Sequence, residues 1–423
     1  EERGHRVTPI RQIGKRLQNP DPNPKRTTQN PNPSTRTPQP IMPTSTVEAT
    51  DLKTRWTEFQ EEHPDVRIRT AADRLGVSEA ELLATGCGEH VTRLDGGWSA
   101  LLSELESLGP VMALTRNDAA VHEKTGVYHN VKFTDAHNMG LVLDDDIDLR
   151  LFLDHWVLGF AVETPWDGGR GGVRRSLQFF DRDGTAVHKV FLTRKSDRDA
   201  YDALVNAYRH DDQSTEQSVT RKSDLDTYDA LVDKYRHDDP SIDQPVEAVE
   251  SGADEVPSEE IDVEGFLDEW ADLKDTHDFF PLLRDYDISR RQALHFGEGR
   301  FTHRVAADSL RRLLQDAAEE EVPIMVFVGN TGCIQIHTGP VKKLKATPPW
   351  YNVLDPGFQL HLNEEAIAQA WVVRKPTRDG DVASLELLDA DGGIIARFFG
   401  KRKPGQPERE DWRSVVQALV EDG

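Results

Sequence analysis

The spacing of apolar positions changes character several times along the chain, and each change marks an element. Between Val263 and Arg291, Phe266, Trp270, Leu273 and His277 follow one another at spacings of four, three and four, which sets them on one face of an amphipathic helix. Phe280 continues that stripe, and Ser289 with Gln292 three residues on predicts a capping box that opens a second helix at Arg290. From Asp51, LKTRWTEFQEEH predicts a helix, and IRTAADRLGVSEAELLATG after it has the spacing of a helix-turn-helix. Past Gly109 the pattern becomes strand-like in VMALTRNDAAVHEKTG, VYHNVKF, GLVLDDDIDLRLFLDHWVLGFAVE and RRSLQFFDRDGTAVHKVFL, the last with a turn at Asp-x-Asp-Gly. Inside that block Ile147 to Trp156 is expected to form one helix, with Leu149, Phe152, Leu153 and Trp156 buried and Arg150 beside them.

Two internal repeats organise these elements. A short one is tandem: residues 193–219 recur at 220–246, identical at 19 of 27 positions. Each copy carries an apolar helical stripe, Tyr201, Leu204, Val205 and Tyr208 in the first and Tyr228, Leu231, Val232 and Tyr235 in the second. One extra copy reads as a duplication in a tolerant linker, because two such units make no solenoid. The long repeat is architectural. VMALTRNDAAVHEKTG aligns without gaps to IMVFVGNTGCIQIHTG at 324, LVLDDDIDLRLFLDHW is echoed by LHLNEEAIAQAW, and SLQFFDRDGTAVHKVFL by SLELLDADGGIIARFFG. Each half therefore reads as helices, a strand-rich block, an inserted helix and a closing hairpin, which predicts an α+β fold of two structural repeats with large antiparallel sheets. The expected divisions are a disordered extension at 1–45, a first repeat at 46–195, a linker at 196–262 and a second repeat at 263–423.

Composition narrows the function. The 423 residues exceed one ordinary core and suit two. Asp and Glu outnumber Lys and Arg 75 to 51, a net charge of -24, which argues against a surface built for nucleic acid or anionic lipid. Residues 1–45, rich in Pro, Asn, Thr and Arg, form the one basic segment. They hold no apolar core of a signal peptide, and Met42 is an alternative start. Cys87 and Cys333 make neither a C-x-x-C nor a zinc spacing, so an iron or other metal would arrive with a cofactor or on histidine. No apolar run is long enough to span a membrane.

Three features could carry chemistry. His277 on an apolar stripe is either a hydrogen-bonded core histidine or a ligand. Arg150 is either in a surface ion pair with Asp146 or Asp154, four residues to either side, or a functional cation. The helix-turn-helix would read DNA only through its second helix, but SEAELLAT offers two Glu and no Arg, Lys, Asn or Gln, so a packed helical hairpin is expected. His122 is expected to be exposed on an edge-like strand, and His129, His137, His188 and His337 lack paired ligand spacing.

The segments TRNDAAVHE, IDLRLFLDHW, SLQFFDRDG, HDFF, VFVGNTGCIQIHTGPV, AWVVRKPT and SLELLDADG resemble the cytoplasmic hemin-degrading and hemin-transport proteins of the HemS/ChuS type, over about Asp51 to Val420 apart from the tandem insert. The resemblance implies two repeats with large antiparallel sheets and one haem b held between the second repeat and the linking helices. It places the axial iron ligand on His277 and a distal arginine on Arg150. The cations that accompany the propionates fall on Arg290, Lys375 and Arg402, and an aromatic wall on Phe327. Phe399 stands where tyrosine is common and Arg397 where glutamine is common. The implied function is cytoplasmic haem uptake with degradation that releases iron, or else transfer of intact haem as a carrier. A haem importer, an electron donor and a second copy of the chain are the partners this implies, with no nucleic acid.

Overall fold

Alternating burial makes the strands. In chain order they are β1 (Val91–Leu94), β2 (Val111–Arg116), β3 (Ala120–Gly126), β4 (Val131–Thr134), β5 (Met139–Leu143), β6 (Asp148–Phe152), β7 (Leu158–Trp166), β8 (Gly172–Phe180) and β9 (Ala186–Leu192) in the first half. The second half holds β10 (Thr302–Val305), β11 (Ile324–Gly329), β12 (Cys333–Gly339), β13 (Leu344–Thr347), β14 (Trp350–Asp355), β15 (Phe358–Asn363), β16 (Gln369–Lys375), β17 (Val382–Leu388) and β18 (Ile394–Gly400). The computed structural model describes residues 45–134, 138–166, 172–210, 255–403 and 405–421. The extension before Ser45, the second tandem copy and most of the acidic stretch after it lie outside the described residues. The first copy's helix, Arg198–Ala207, buries Tyr201, Leu204 and Val205 in the first half's core, so the chain stays packed past residue 196.

The strands form two nine-stranded antiparallel sheets, and each borrows three strands from the other half. One runs β1-β7-β8-β9-β2-β3-β15-β14-β13, the other β10-β16-β17-β18-β11-β12-β6-β5-β4. The joins are β3 to β15, with His361 opposite Val121, and β12 to β6, with Arg150 opposite Ile334. Without the borrowed strands β3 and β12 would be bare sheet edges. The same β6 packs Leu149 and Leu151 into the core of its own half, beside the helices Trp98–Ser103 and Arg198–Ala207. Its backbone thus belongs to one sheet and its apolar side chains to the other core.

The expected helix over Ile147–Trp156 is therefore corrected to β6 followed by a single 3₁₀ turn at Leu153–His155. Leu149 and Leu151 are buried while Asp148, Arg150 and Phe152 alternate onto the opposite face. Leu149, Phe152, Leu153 and Trp156 fit a helical period while Leu149, Leu151 and Leu153 fit a strand, and pairing with β5 and β12 on either side decided for the strand. The equivalent place in the second half is also a 3₁₀ turn, Glu364–Ala366, after β15. His122 is corrected too: β3 lies inside its sheet, between β2 and β15, and the imidazole is fully buried.

The long repeat is visible in its turns. Asn117 closes the β2–β3 hairpin by accepting from the N–H groups of Ala119 and Ala120, and its Nδ2 donates to Gly329 O at 3.1 Å and Ile395 O at 2.9 Å. Asn330 closes β11–β12 by accepting from Gly332 and Cys333, and donates to Arg116 O at 2.9 Å and Val187 O at 2.8 Å. Each asparagine thus ties its own turn to the other half. Capping boxes Ser78/Glu81 and Ser289/Gln292 open equivalent helices, Glu79–Ala84 and Arg290–Phe296. Replacing Asn330 by Ala strands two buried carbonyls of two different elements, and denaturant unfolding is expected to show a loss of about 2–4 kcal/mol, with the conservative Asn330→Asp also destabilised for lack of a donor.

Between the sheets, burial holds His188 and His337 down to about 3 and keeps His122, with no hydrogen-bond partner on either ring nitrogen, well below the usual histidine value. These rings are neutral in the folded protein and take up protons near 6.5 when it unfolds, so their contribution is complete above that pH and is lost as the pH falls from 6.5 towards 3. Burial raises Glu408 to about 7 and Asp181 to about 6, which opposes this over part of the range. Stability from denaturant titrations should fall between pH 6.5 and 4.5 by about 1.4 kcal/mol per pH unit for each uncompensated histidine. His122→Leu should flatten that slope without loss of stability at pH 7; an unchanged slope would refute the assignment.

Candidate functional site

Strand register gathers the sequence-predicted residues on one face of the second sheet. Across it, Trp371 of β16 pairs with Glu386, Glu386 with Arg397, Arg397 with Phe327, Phe327 with Ile336 and Ile336 with Asp148. Residues two apart along each strand share that face, which adds Lys375, Phe399 and Arg150. The opposite face, with Val326, Val328, Leu385 and Phe398, is core. At the β16–β17 end the chemical face is roofed by helices Val263–Ala271, Phe279–Asp285 and Arg290–Phe296, which pack Phe266, Trp270 and Phe279 against Trp371 and Val373.

His277 does not ride the helix that its spacing predicts. The helix stops at Ala271, and Asp275 caps a separate 3₁₀ turn, Thr276–Asp278. Phe266, Trp270 and Leu273 keep the buried stripe, and Phe279 rather than Phe280 completes it. The imidazole instead stands 44% exposed at the end of the helical roof, and its Nδ1 lies 2.6 Å from Asp275 Oδ1. That bond makes Nδ1 the donor and leaves Nε2 with its lone pair outward, the arrangement by which carboxylates orient metal-binding histidines. Burial would raise the Asp275 carboxyl, but hydrogen bonds from the His277 backbone and ring, with the charge of Arg402, hold it below the ordinary carboxylate value.

The cations divide into two kinds. Arg290 donates from Nη1 to both oxygens of Glu386, at 3.2 and 2.9 Å, and Lys375 Nζ stands 3.6 Å from the same carboxylate. All three are buried, and both cations also cover the Phe279 ring. Burial pulls Lys375 down to about 8 against the pull of Glu386, while Arg290 and Lys375 outweigh burial and keep Glu386 ionised. Arg397, pushed by burial to about 10, lies over Phe327, which meets Phe399 edge-on at 5.2 Å. Arg402 is more open and keeps one buried nitrogen, Nη1, without a partner. Here Arg150, Arg290, Lys375, Arg397 and Arg402 outnumber the carboxylates Asp148, Asp275 and Glu386, a local excess of cations in an acidic chain.

Arg150 bonds neither Asp146 nor Asp154. Its Nη1 donates to Asp148, two residues back on the same strand face, and to Leu149 O at 3.2 Å. Burial raises the Asp148 carboxyl, partly offset by this arginine. Sequence reading missed three carboxylates here. Asp275 was visible only as Asp-x-His, Asp148 was hidden by the helix assignment, and Glu386 was detectable as a charge on the Ser384-x-Glu386 side of an apolar strand.

The description "Haemin-degrading HemS.ChuX domain" matches this chain twice, at residues 76–208 and 287–419. The hemin transport protein HmuS of Yersinia pestis is 38% identical over 370 residues, 87% of this chain and 97% of that protein. The structure of holo-PhuS, a heme-binding protein from Pseudomonas aeruginosa, superposes with a TM-score of 0.77 at 42% identity, covering 88% of this chain and 99% of that one. ChuS, described as an E. coli heme oxygenase, covers the same shares at a TM-score of 0.72 and 33% identity.

The buried network yields a stability test. Glu386→Ala removes the carboxylate that both Arg290 and Lys375 meet in the interior, and urea unfolding should register a loss of about 3–5 kcal/mol. Lys375→Met in the same background should recover part of it.

Proposed function

The chain belongs to the haemin-degrading HemS/ChuX family, and on that premise we propose that it binds haem b on the sheet face between His277 and Arg150, takes part in haem-iron uptake and opens the ring to release iron. The carrying observation is the His277–Asp275 pair. An exposed imidazole whose Nδ1 is held by a carboxylate, with its other ring nitrogen left to accept a metal, is suited to bind a haem iron. Haem is cargo and substrate here. Its iron supplies oxygen chemistry once reduced, and the chain's own residues hold and orient it.

The propionates need cations, and the supply differs from the simple expectation. Arg290 and Lys375 are already bonded to Glu386, so they act as a buried positive wall while Arg402, with an unpartnered Nη1, is the arginine we assign to direct contact. Phe327 and Phe399 form an aromatic wall on the ring face, backed by Arg397. Arg150 is assigned the distal side, where its remaining guanidinium donors would stabilise developing negative charge.

One observation favours the carrier alternative. Asp148 binds the Arg150 side chain and would restrain it from reaching a ligand. A carrier would pass haem from an importer to another protein and needs no distal donor. No described helix is long and apolar enough to cross a membrane, and a cytoplasmic place of action is part of the proposal.

Hemin titrations separate these roles. His277→Ala should move the Soret band and weaken hemin binding by tenfold or more, and Asp275→Ala should give about a tenfold loss at an unchanged fold. With reductant, air and catalase, the wild type should lose its haem bands. Arg150→Ala should bind hemin with moderately reduced affinity and degrade it about a hundredfold more slowly. Bands that persist in the wild type would leave the carrier reading in place.

A further inference from the structure

The first sheet has a face equivalent to the one that carries the proposed haem site, and its chemistry is different. Val121 and Ile334 each lie four residues after the turn asparagine, Asn117 or Asn330, and their partners on the borrowed strands are His361 and Arg150. His361 therefore occupies the register of Arg150. On the helical side, Arg67 precedes helix Ile68–Leu75 as Asp278 precedes Phe279–Asp285, and Val66 falls where His277 stands. Arg116 precedes Asn117 where Gly329 precedes Asn330. The second half makes the same turns and the same roof without these cations, so the fold does not require them.

They line a groove of about 1620 Å³ with Trp350 and Leu354 on its wall. Arg116 is only partly exposed, and its guanidinium makes one weak bond, to Asn117 O at 3.4 Å. Arg67 and Arg69 add like charge beside it. The nearest carboxylates are engaged elsewhere: Asp118 with Arg69, Glu79 with Lys189, and Glu81 in the capping box of Ser78. Arg67 also acts on His361, which Asn352 holds through Nδ1 at 2.7 Å. The lining as a whole carries six carboxylates to four Lys and Arg, which disfavours a long polyanion and leaves the arginine corner as the place for a compact one.

We propose that this groove is a second binding site, for a small molecule bearing a phosphate or carboxylate group, with the oxyanion on Arg67 and Arg116 and the body against Trp350. Paired guanidinium groups are suited to bidentate oxyanion binding, and partial burial strengthens each bond. The site lacks an imidazole at Val66 and acts separately from the haem face.

The test uses the full chain with inorganic pyrophosphate and citrate in separate calorimetric titrations, which distinguishes phosphate from carboxylate. Saturable binding of either is expected, weakened about tenfold or more in Arg116→Gly and in Arg67→Ala. Arg116→Gly installs the residue of the other half, so its fold should hold, with hemin titration unchanged as the control. No binding of either probe by the wild type, or binding by both variants as tight as by the wild type, would overturn the proposal. Displacement of the probe by iron-free protoporphyrin in equal proportion would overturn it as well, in favour of a second tetrapyrrole site. Loss of hemin binding by the wild type with pyrophosphate binding retained would refute the haem reading and leave this one standing.

Discussion

The pairing of β6 with β12, and of β15 with β3, is the constraint on which the rest of the structure depends. Each half supplies six strands of one sheet and three of the other, so neither sheet is complete within one half. A bare β12 edge would expose a row of unpaired N–H and C=O groups at the middle of the molecule. The exchange removes both edges at once and makes the two cores interdependent, because β6 and β15 leave their apolar side chains with their own halves. Asn117 and Asn330 stand at the crossings, and each uses both donor hydrogens of its amide on carbonyls outside its own turn.

The proposed haem face is a consequence of that exchange. Arg150 comes from the first half and every other candidate on the sheet from the second, and they share a face only because β6 completes the second sheet. The buried trio of Arg290, Glu386 and Lys375 fastens the helical roof to the sheet in the same region. Such a network is costly to desolvate and is tolerated where its members satisfy one another. It holds positive charge in the interior beneath this face while leaving Arg402 and His277 near the surface.

The two halves show how far a duplicated frame can diverge in charge without changing shape. Where the second half fastens helix to sheet with Arg290 on Glu386, the first uses Glu79 on Lys189, the helix and sheet having exchanged signs. Arg and His are likewise exchanged between the registers of Arg150 and His361. The backbone hydrogen bonds that define the fold are indifferent to such changes, so the two faces could diverge in charge while the strands stayed in register.

Local devices were legible in the amino-acid sequence because they are written in neighbouring residues. The capping box at Ser289, the packed helical hairpin ending in SEAELLAT and the antiparallel repeat all follow from spacings of a few positions or from direct comparison of the two halves. The roof's buried stripe of Phe266, Trp270 and Leu273 was equally visible. Other features required tertiary structure. Leu149, Phe152, Leu153 and Trp156 fit a helical period, and pairing with β5 on one side and with β12, more than 180 residues away, on the other made Asp148–Phe152 extended. His277 fits the helical stripe by number, yet the helix ends first and the ring turns outward to meet Asp275. His122 looked like an edge residue until β15 covered it. Periodicity tells which residues share a face once the element is known, but it carries no register between distant strands; that register decided which carboxylates meet which cations and what the site became.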